Sequence, residues 1–309
     1  MEWYDLKLRQ IVSEGSKSNI LRDRPEEERK HRIIGSRWVD KVILLNTLFD
    51  FVTSESDHFV TLEKTPYVSG FDSELVSTSL APVHYRPLHQ RFYWATKDLD
   101  GYKDGEDTRP EIRIQRKLGT GRWKQTLKLS RQSDPQKGVG KTIVRQEYER
   151  EVNGFRIDFR LFPKEAEQAA RSVFGDKPLK PVICMQGQGI PILYHPCGRA
   201  DILFEIKFDK GKGFSFDGEQ CEVVEVEIEL KENLDGAAVE EIEALLDESD
   251  AALYKNFPDQ LAPCIESKPA ALFSHLKTRR KENPNTFGEA FDALPDDRWV
   301  MQNSLSFGR

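Results

Sequence analysis

Alternating apolar and polar residues dominate the middle of the chain. Short runs of this kind are RFYWAT, EIRIQRK, RWKQTLKL and IVRQEYEREV, followed later by DILFEIKFD and EVVEVEIEL. Successive side chains of a strand project to opposite faces, so these runs predict antiparallel strands with one apolar and one polar face each. Shorter strands are predicted at 59–62 and near 191–193.

Apolar residues at helical spacing predict helices at 36–52, 164–174 and 237–246. In the remaining stretches the apolar residues follow no sustained helical or strand periodicity. The sequence therefore predicts a loose or helical lead-in at 1–25, one domain at 26–275 with an irregular insertion at about 54–90, and a tail of limited order at 276–309.

The polar faces of the predicted strands carry charges. They are Glu111, Arg113, Gln115 and Lys117 in the second run, Lys124, Thr126 and Lys128 in the third, Arg145, Glu147, Glu149 and Glu151 in the fourth, and Glu225, Glu227 and Glu229 in the last. Periodicity alone does not decide whether these faces look into a barrel or out into solvent.

The chemistry of inward-facing charges is specific. Three carboxylates on one side of a strand repel each other and require a cation such as Mg²⁺ or Mn²⁺, which prefers oxygen ligands. Converging Arg and Lys side chains require an anion, and a phosphate chain satisfies them. A metal with a polyphosphate meets both needs.

Composition narrows the class of protein. The 309 residues are 38% hydrophobic and 32% charged, with a net charge of −6, which gives no basic footprint for duplex nucleic acid. No apolar run is long enough to span a membrane and the first residues are not those of a signal peptide, so we expect a cytoplasmic protein. The four cysteines and six histidines show no metal-site spacing, and we interpret them as structural or exposed.

Several short motifs follow one another in order along residues 26–273. They are Glu26, Glu28 and Lys30 in an ExExK run, the stretch 92–99, Ile112-Arg113-Ile114-Gln115, a hairpin ending in Thr126-Leu127-Lys128, the R-x-E-x-E run from Arg145 to Glu149, the acidic strand from Glu225 to Glu229, and Ser267-Lys268. Together they resemble the CYTH superfamily of triphosphate tunnel metalloenzymes, with its opening ExExK strand, its YFDTPDL and LRIR elements and its closing S-K element. Gln115 departs from the pattern, and only Arg199 is near where a further basic residue is expected.

The resemblance implies an α+β fold with a closed antiparallel eight-stranded β-barrel, the triphosphate tunnel, and flanking helices. It implies that Lys30, Arg113, Lys128, Arg145 and Lys268 bind phosphates, that Glu26, Glu28, Glu225, Glu227 and Glu229 hold Mg²⁺ or Mn²⁺, and that Glu147 and Glu149 support the basic set. Glu26, Glu28, Lys30 and Glu227 are the implied catalytic residues. No covalent nucleophile is needed, because phosphoryl transfer depends on positioning and charge neutralisation.

The implied activity is metal-dependent hydrolysis of a small molecule that contains a triphosphate, either inorganic or organic. The same tunnel is compatible with an adenylyl cyclase or a polyphosphate polymerase, and a binding module without turnover is a further alternative. The leaving group and the oligomeric state are not fixed by the sequence.

Overall fold

The structure is a computed structural model that describes residues 20–54, 59–61, 89–100, 110–117, 122–130, 143–196, 199–233, 236–264 and 266–294. Within these ranges the chain forms ten strands and five α-helices. The strands are β1 (Ile20–Ile33), β2 (Phe59–Thr61), β3 (His89–Ala95), β4 (Glu111–Lys117), β5 (Trp123–Ser130), β6 (Ile143–Val152), β7 (Lys180–Pro196), β8 (Ile202–Ser215), β9 (Gln220–Asn233) and β10 (Leu261–Pro263). The helices are α1 (Trp38–Thr53), α2 (Lys164–Phe174), α3 (Val239–Asn256), α4 (Ala270–Glu282) and α5 (Pro284–Asp292).

All ten strands belong to one antiparallel sheet. The pairings run β1-β6-β5-β4-β3-β7-β8-β9, and β9 pairs in turn with β1. The short strands β10 and β2 pair with β1 and β7. The register sets Lys30 opposite Glu227 and Glu28 opposite Glu229. The predicted α+β class is confirmed.

One face of the sheet is apolar and packs against helices. On β8 and β9, residues such as Phe204, Ile206 and Val226 contact α1 and α3. On β3 to β5, Phe92 and Ile114 belong to the core that α2 covers. Each large side chain buried in this way stabilises the fold by about 1.5–3 kcal/mol. We call this side the apolar face and the opposite side, which carries the alternate charged residues, the charged face.

Toward one end of the sheet, the charged face carries apolar residues in place of charged ones. On β3, Tyr93 follows His89 and Arg91 at alternate positions, and it packs with Met185 of β7 and with Phe273 of α4. Helices α4 and α5 cover this end and supply the rest of a separate hydrophobic core. The charges are therefore concentrated between this core and the other end of the strands.

The three predicted helices are confirmed as α1, α2 and α3, although α3 extends to Asn256. The predicted limited order after His275 is wrong as far as residue 294, because α4 and α5 bury apolar residues there, including Phe291. The lead-in prediction is wrong for residues 20–25, which pair with β6 as part of β1. Most of the predicted insertion lies outside the described residues. None of the described helices is long and apolar enough to cross a membrane.

Candidate active site

Three carboxylates meet on the charged face of β8 and β9. Asp209 lies directly opposite Glu225 in the register, and Glu227 is the next residue on the same face of β9. One ligand oxygen from each side chain lies within 4.8 Å of the others. Asp209 and Glu225 are buried, so their mutual repulsion is weakly screened and requires cations nearby. We call these three residues the carboxylate cluster.

Lysines surround the carboxylate cluster. The Lys268 Nζ, just before α4, lies 2.9 Å from Asp209 Oδ2, 2.7 Å from Glu225 Oε1 and 2.6 Å from Glu227 Oε1. Lys30 Nζ of β1 is 3.2 Å from Glu227 Oε1, and Lys207 Nζ of β8 is 2.8 Å from Asp209 Oδ2. Side chains from β1, β8, β9 and the segment before α4 thus converge on one place.

The pKa values follow from this crowding. Burial opposes ionisation of Glu227, but Lys268, Lys30 and Lys207 outweigh it and hold the Glu227 pKa well below its usual value. Burial raises the pKa of Glu225, and Lys268 and Lys30 offset this only in part. Burial alone would lower the Lys268 pKa, but the three carboxylates raise it well above its ordinary value, so the ammonium is retained.

The carboxylate cluster also has unused ligand atoms. Asp209 Oδ1 and Glu225 Oε2 are buried and accept no hydrogen bond within the described part of the chain. Buried polar atoms without partners are uncommon in folded proteins. A hard divalent cation binds oxygen ligands of this kind, so the donor set fits Mg²⁺ or Mn²⁺.

A second group of cations lies on the neighbouring strands of the charged face. Arg91 of β3, Arg113 of β4 and Lys207 of β8 all act electrostatically on His89 of β3, and Arg91 also acts on Lys207. Burial and the charges of Arg91, Lys207, Lys268 and Arg113 lower the His89 pKa well below its ordinary value, so this imidazole is neutral. Burial also lowers the Lys207 pKa, and Asp209 opposes the change. Such a group of cations needs an anion.

The predicted supporting carboxylates bind cations of this region. Glu147 of β6 accepts a hydrogen bond from Arg113 at 3.2 Å, across the intervening β5, and lies 3.4 Å from Lys128 Nζ. Glu149 accepts from Lys124 at 2.5 Å. Burial opposes the charge on Arg113, but Tyr93, Glu147 and Glu111 raise its pKa. These carboxylates hold the cations in place on the charged face.

Glycines on β7 leave room for these side chains. A Cβ added to Gly189 would collide with Asp209 Oδ1 and with Lys207 Cε, and one added to Gly187 would come within 3.0 Å of His89 Nε2. Both positions pair across the sheet with strands that carry the charges. The absence of side chains here makes space in front of the carboxylate cluster.

The structure brings together Lys30, Glu225, Glu227 and Lys268 among the predicted site residues, and it places Arg113, Lys128, Glu147 and Glu149 on the same charged face. Glu28 lies 3.8 Å from Lys30. Glu229 is outside the carboxylate cluster and accepts from Lys231 at 2.7 Å. Glu26 and Arg145 are opposite each other in the β1–β6 register, and their side chains lie outside the described residues.

Sequence reasoning missed four residues of this region, namely His89, Arg91, Lys207 and Asp209. The signal was present in FEIKFD, where Glu205, Lys207 and Asp209 alternate with phenylalanine and isoleucine. His89, one of the histidines interpreted as structural or exposed, is buried among the cations. Arg199 does not supply a further cation here, because it pairs with Asp201 at 2.6 Å and with Glu241.

Comparisons with known proteins give only distant structural likenesses. No protein-family model and no curated protein matches the chain. A Hippeastrum protein, described as a candidate adenylyl cyclase with a dominant triphosphatase activity, is 16% identical, with 81% of this chain and 96% of that chain covered and a TM-score of 0.37. A conserved hypothetical protein from Pyrococcus furiosus is 12% identical, and the match covers 78% of this chain and 96% of that chain with a TM-score of 0.35. A Pyrococcus horikoshii protein is 15% identical, and the match covers 81% of this chain and 99% of that chain with a TM-score of 0.36. Scores this low identify no family.

Proposed function

We propose that the charged face binds the phosphate chain of a triphosphate together with Mg²⁺ or Mn²⁺ and catalyses hydrolysis of the terminal phosphoanhydride. The observation that carries this proposal is the meeting of the carboxylate cluster with Lys30 and Lys268, next to the cations Arg91 and Arg113. A metal alone would add positive charge beside these cations, and a phosphate chain would balance it. A phosphate chain alone would be repelled by the carboxylates.

The proposal includes a closed eight-stranded barrel of the CYTH type, with the charged face lining its lumen. Its support is the pairing of β1 with both β6 and β9, which returns the order of strands to its start. The hydrogen bond from Arg113 on β4 to Glu147 on β6 across β5 is also expected of a strongly curved sheet. A cytoplasmic location is part of the same proposal.

Each group has a defined task in the proposed reaction. Asp209, Glu225 and Glu227 would hold the metal, with Glu28 nearby, and a bound metal would neutralise charge on the phosphate oxygens. Lys30, Arg113 and Lys128 would orient the phosphates, while Glu147 keeps Arg113 and Lys128 in position. Water adds to the terminal phosphorus as the bond to the bridging oxygen breaks, which yields orthophosphate and the shortened chain. Positioning and charge neutralisation supply the catalysis.

The test is release of orthophosphate from inorganic triphosphate with Mg²⁺ or Mn²⁺. We expect Glu227→Gln to lower kcat at least about 100-fold, because a neutral amide neither ligates the metal strongly nor balances Lys30 and Lys268. Glu222→Gln is the matched control, since Glu222 is an exposed residue on the same strand. It should keep activity within about twofold.

Other outcomes of the assay separate the alternatives. Pyrophosphate release from ATP, or growth of a phosphate chain, would contradict hydrolysis and indicate a cyclase or a polymerase. Tight binding of triphosphate without metal-dependent phosphate release would indicate a binding module. Lys128→Ala should weaken triphosphate binding in each case, seen as a higher KM with turnover and a higher Kd without it, because it removes one cation from the charged face.

A further inference from the structure

The Lys268 ammonium lies among the three carboxylates that are proposed to hold the metal ion. Its ammonium lies within 2.6–2.9 Å of an oxygen from each member of the carboxylate cluster. Among the described residues it is the cation that pairs with all three, whereas Lys30 and Lys207 each approach one or two of them. The ammonium and a metal with the same oxygen ligands exclude each other by distance and by like charge.

The position of Lys268 in the chain allows it to move. It lies outside the strands, in the segment between β10 and α4, and its ammonium is at the end of a four-carbon stem with three rotatable donors. Asp209 and the glutamates, in contrast, are fixed on two long paired strands. When a divalent cation enters, the lysine is the mobile partner.

We propose that Lys268 is an internal counter-cation, which neutralises the carboxylate cluster in the metal-free protein and is displaced by the divalent metal toward the phosphates of the substrate. The two buried oxygens that accept no hydrogen bond, Asp209 Oδ1 and Glu225 Oε2, show that one ammonium does not saturate the cluster. The inference rests on the proposed function for the metal and the anion. It adds that Lys268 competes with the metal and links metal binding to substrate binding.

The test measures Mn²⁺ affinity without any phosphate compound, by electron paramagnetic resonance of free Mn²⁺. We expect Lys268→Met to bind Mn²⁺ at least about tenfold more tightly than the wild type, because a site blocked by a competitor has a reduced apparent affinity. Lys231→Met is the control, since Lys231 is a lysine on β9 that pairs with Glu229 and Glu205. Its Mn²⁺ affinity should match that of the wild type.

The same variants report the link to substrate. Mn²⁺ should increase the affinity of the wild-type protein for a non-hydrolysable triphosphate analogue, measured by calorimetry, and Lys268→Met should lose most of this increase. Circular dichroism checks folding, and Lys268→Gln provides a second neutral variant if Lys268→Met does not fold.

Equal or weaker Mn²⁺ binding by the neutral variants would overturn the role of Lys268 and leave the proposed hydrolysis intact. Absence of Mn²⁺ binding in every variant, wild type included, would contradict the metal site of the proposed function and this inference with it. Activity measurements are not needed to distinguish these results.

Discussion

His89 is a neutral imidazole buried among cations. Its side chain is on the charged face of β3, 4% exposed, with Arg91, Arg113, Lys207 and Lys268 as the nearest charges and Asp209 beside Lys207. Burial and these cations lower its pKa well below 6.5. The unfolded chain therefore takes up a proton at this residue at a higher pH than the folded protein does.

We expect His89 to make folding sensitive to mild acid. As the pH falls below 6.5, the unfolded state gains a proton that the folded state does not bind, and stability is lost. Urea unfolding at a series of pH values should show the wild type losing about 1.5 kcal/mol more than His89→Gln between pH 6.5 and 5. Above pH 7.5 the two proteins should have parallel pH profiles. Profiles that also run parallel at pH 5–6.5 would show that His89 is protonated in the folded state.

Single residues were predicted from the sequence only where a motif pointed to them. Glu227 and Lys268 are 41 positions apart, yet each was predicted as a site residue and their side chains are 2.6 Å apart. Asp209 and Lys207 belong to a strand that was predicted correctly, but neither was predicted as a site residue. The partner of a charged residue depends on the register between strands, which side-chain periodicity does not define.

Strand β1 has a different partner on each of its two faces. Lys30 reaches Glu227 on the charged face, while its neighbours Arg29 and His31 bind Asp250 of α3 at 2.9 and 2.7 Å on the apolar face. Tyr254 contacts the second ring nitrogen of His31 at 3.0 Å. The helix therefore fixes the strand that carries Lys30.

Asp250→Asn should destabilise the protein by about 3–5 kcal/mol in urea unfolding, because it leaves the buried guanidinium of Arg29 without its buried carboxylate. Asp247→Asn is the control. Asp247 also pairs with Arg29, but its side chain is 53% exposed, so we expect a loss of less than about 1 kcal/mol. Similar losses for the two variants would contradict the idea that α3 holds β1 through Asp250.

Strands and helices were easier to predict than their ends. The alternation in EVVEVEIEL defined the two faces of β9 correctly, with Val226 and Ile228 in the core and Glu227 opposite. In contrast, β7 runs from Lys180 to Pro196, while the sequence predicted a strand only near 191–193. Glycine is uncommon inside strands, so the glycines of β7 weaken a strand prediction from sequence. In the structure, a side chain at Gly187 or Gly189 would collide with the charged-face residues of the neighbouring strands.

At the scale of the whole molecule, helices α4 and α5 complete the fold. Their apolar residues form one core with the end of the charged face, where Tyr93 and Met185 replace charges. The sequence KTRRKENPN in this region is polar, and it concealed the apolar positions around it. The prediction of limited order after His275 failed because it followed the polar composition of this stretch and not the spacing of its apolar residues Leu272, Leu276 and Phe287.

Phe291→Ala should lower the free energy of unfolding by about 3–5 kcal/mol, because Phe291 of α5 is 2% exposed and its removal leaves a cavity in this core. Ile43→Ala is the control, because Ile43 of α1 is 51% exposed. It should change the free energy of unfolding by less than about 0.5 kcal/mol. Equal stability of the two variants in urea would mean that α5 does not pack on the sheet in solution.

The place of Lys268 between β10 and α4 has a consequence for biosynthesis. The ribosome delivers β1, with Lys30, early and Lys268 near the end, and translation proceeds at about 5–20 residues per second. During that interval the carboxylates of β8 and β9 have already been made but lack the ammonium that pairs with all three of them. A nascent chain therefore passes through a stage with an electrostatically incomplete centre, and it gains the positive charge of Lys268 only when the segment before α4 is made.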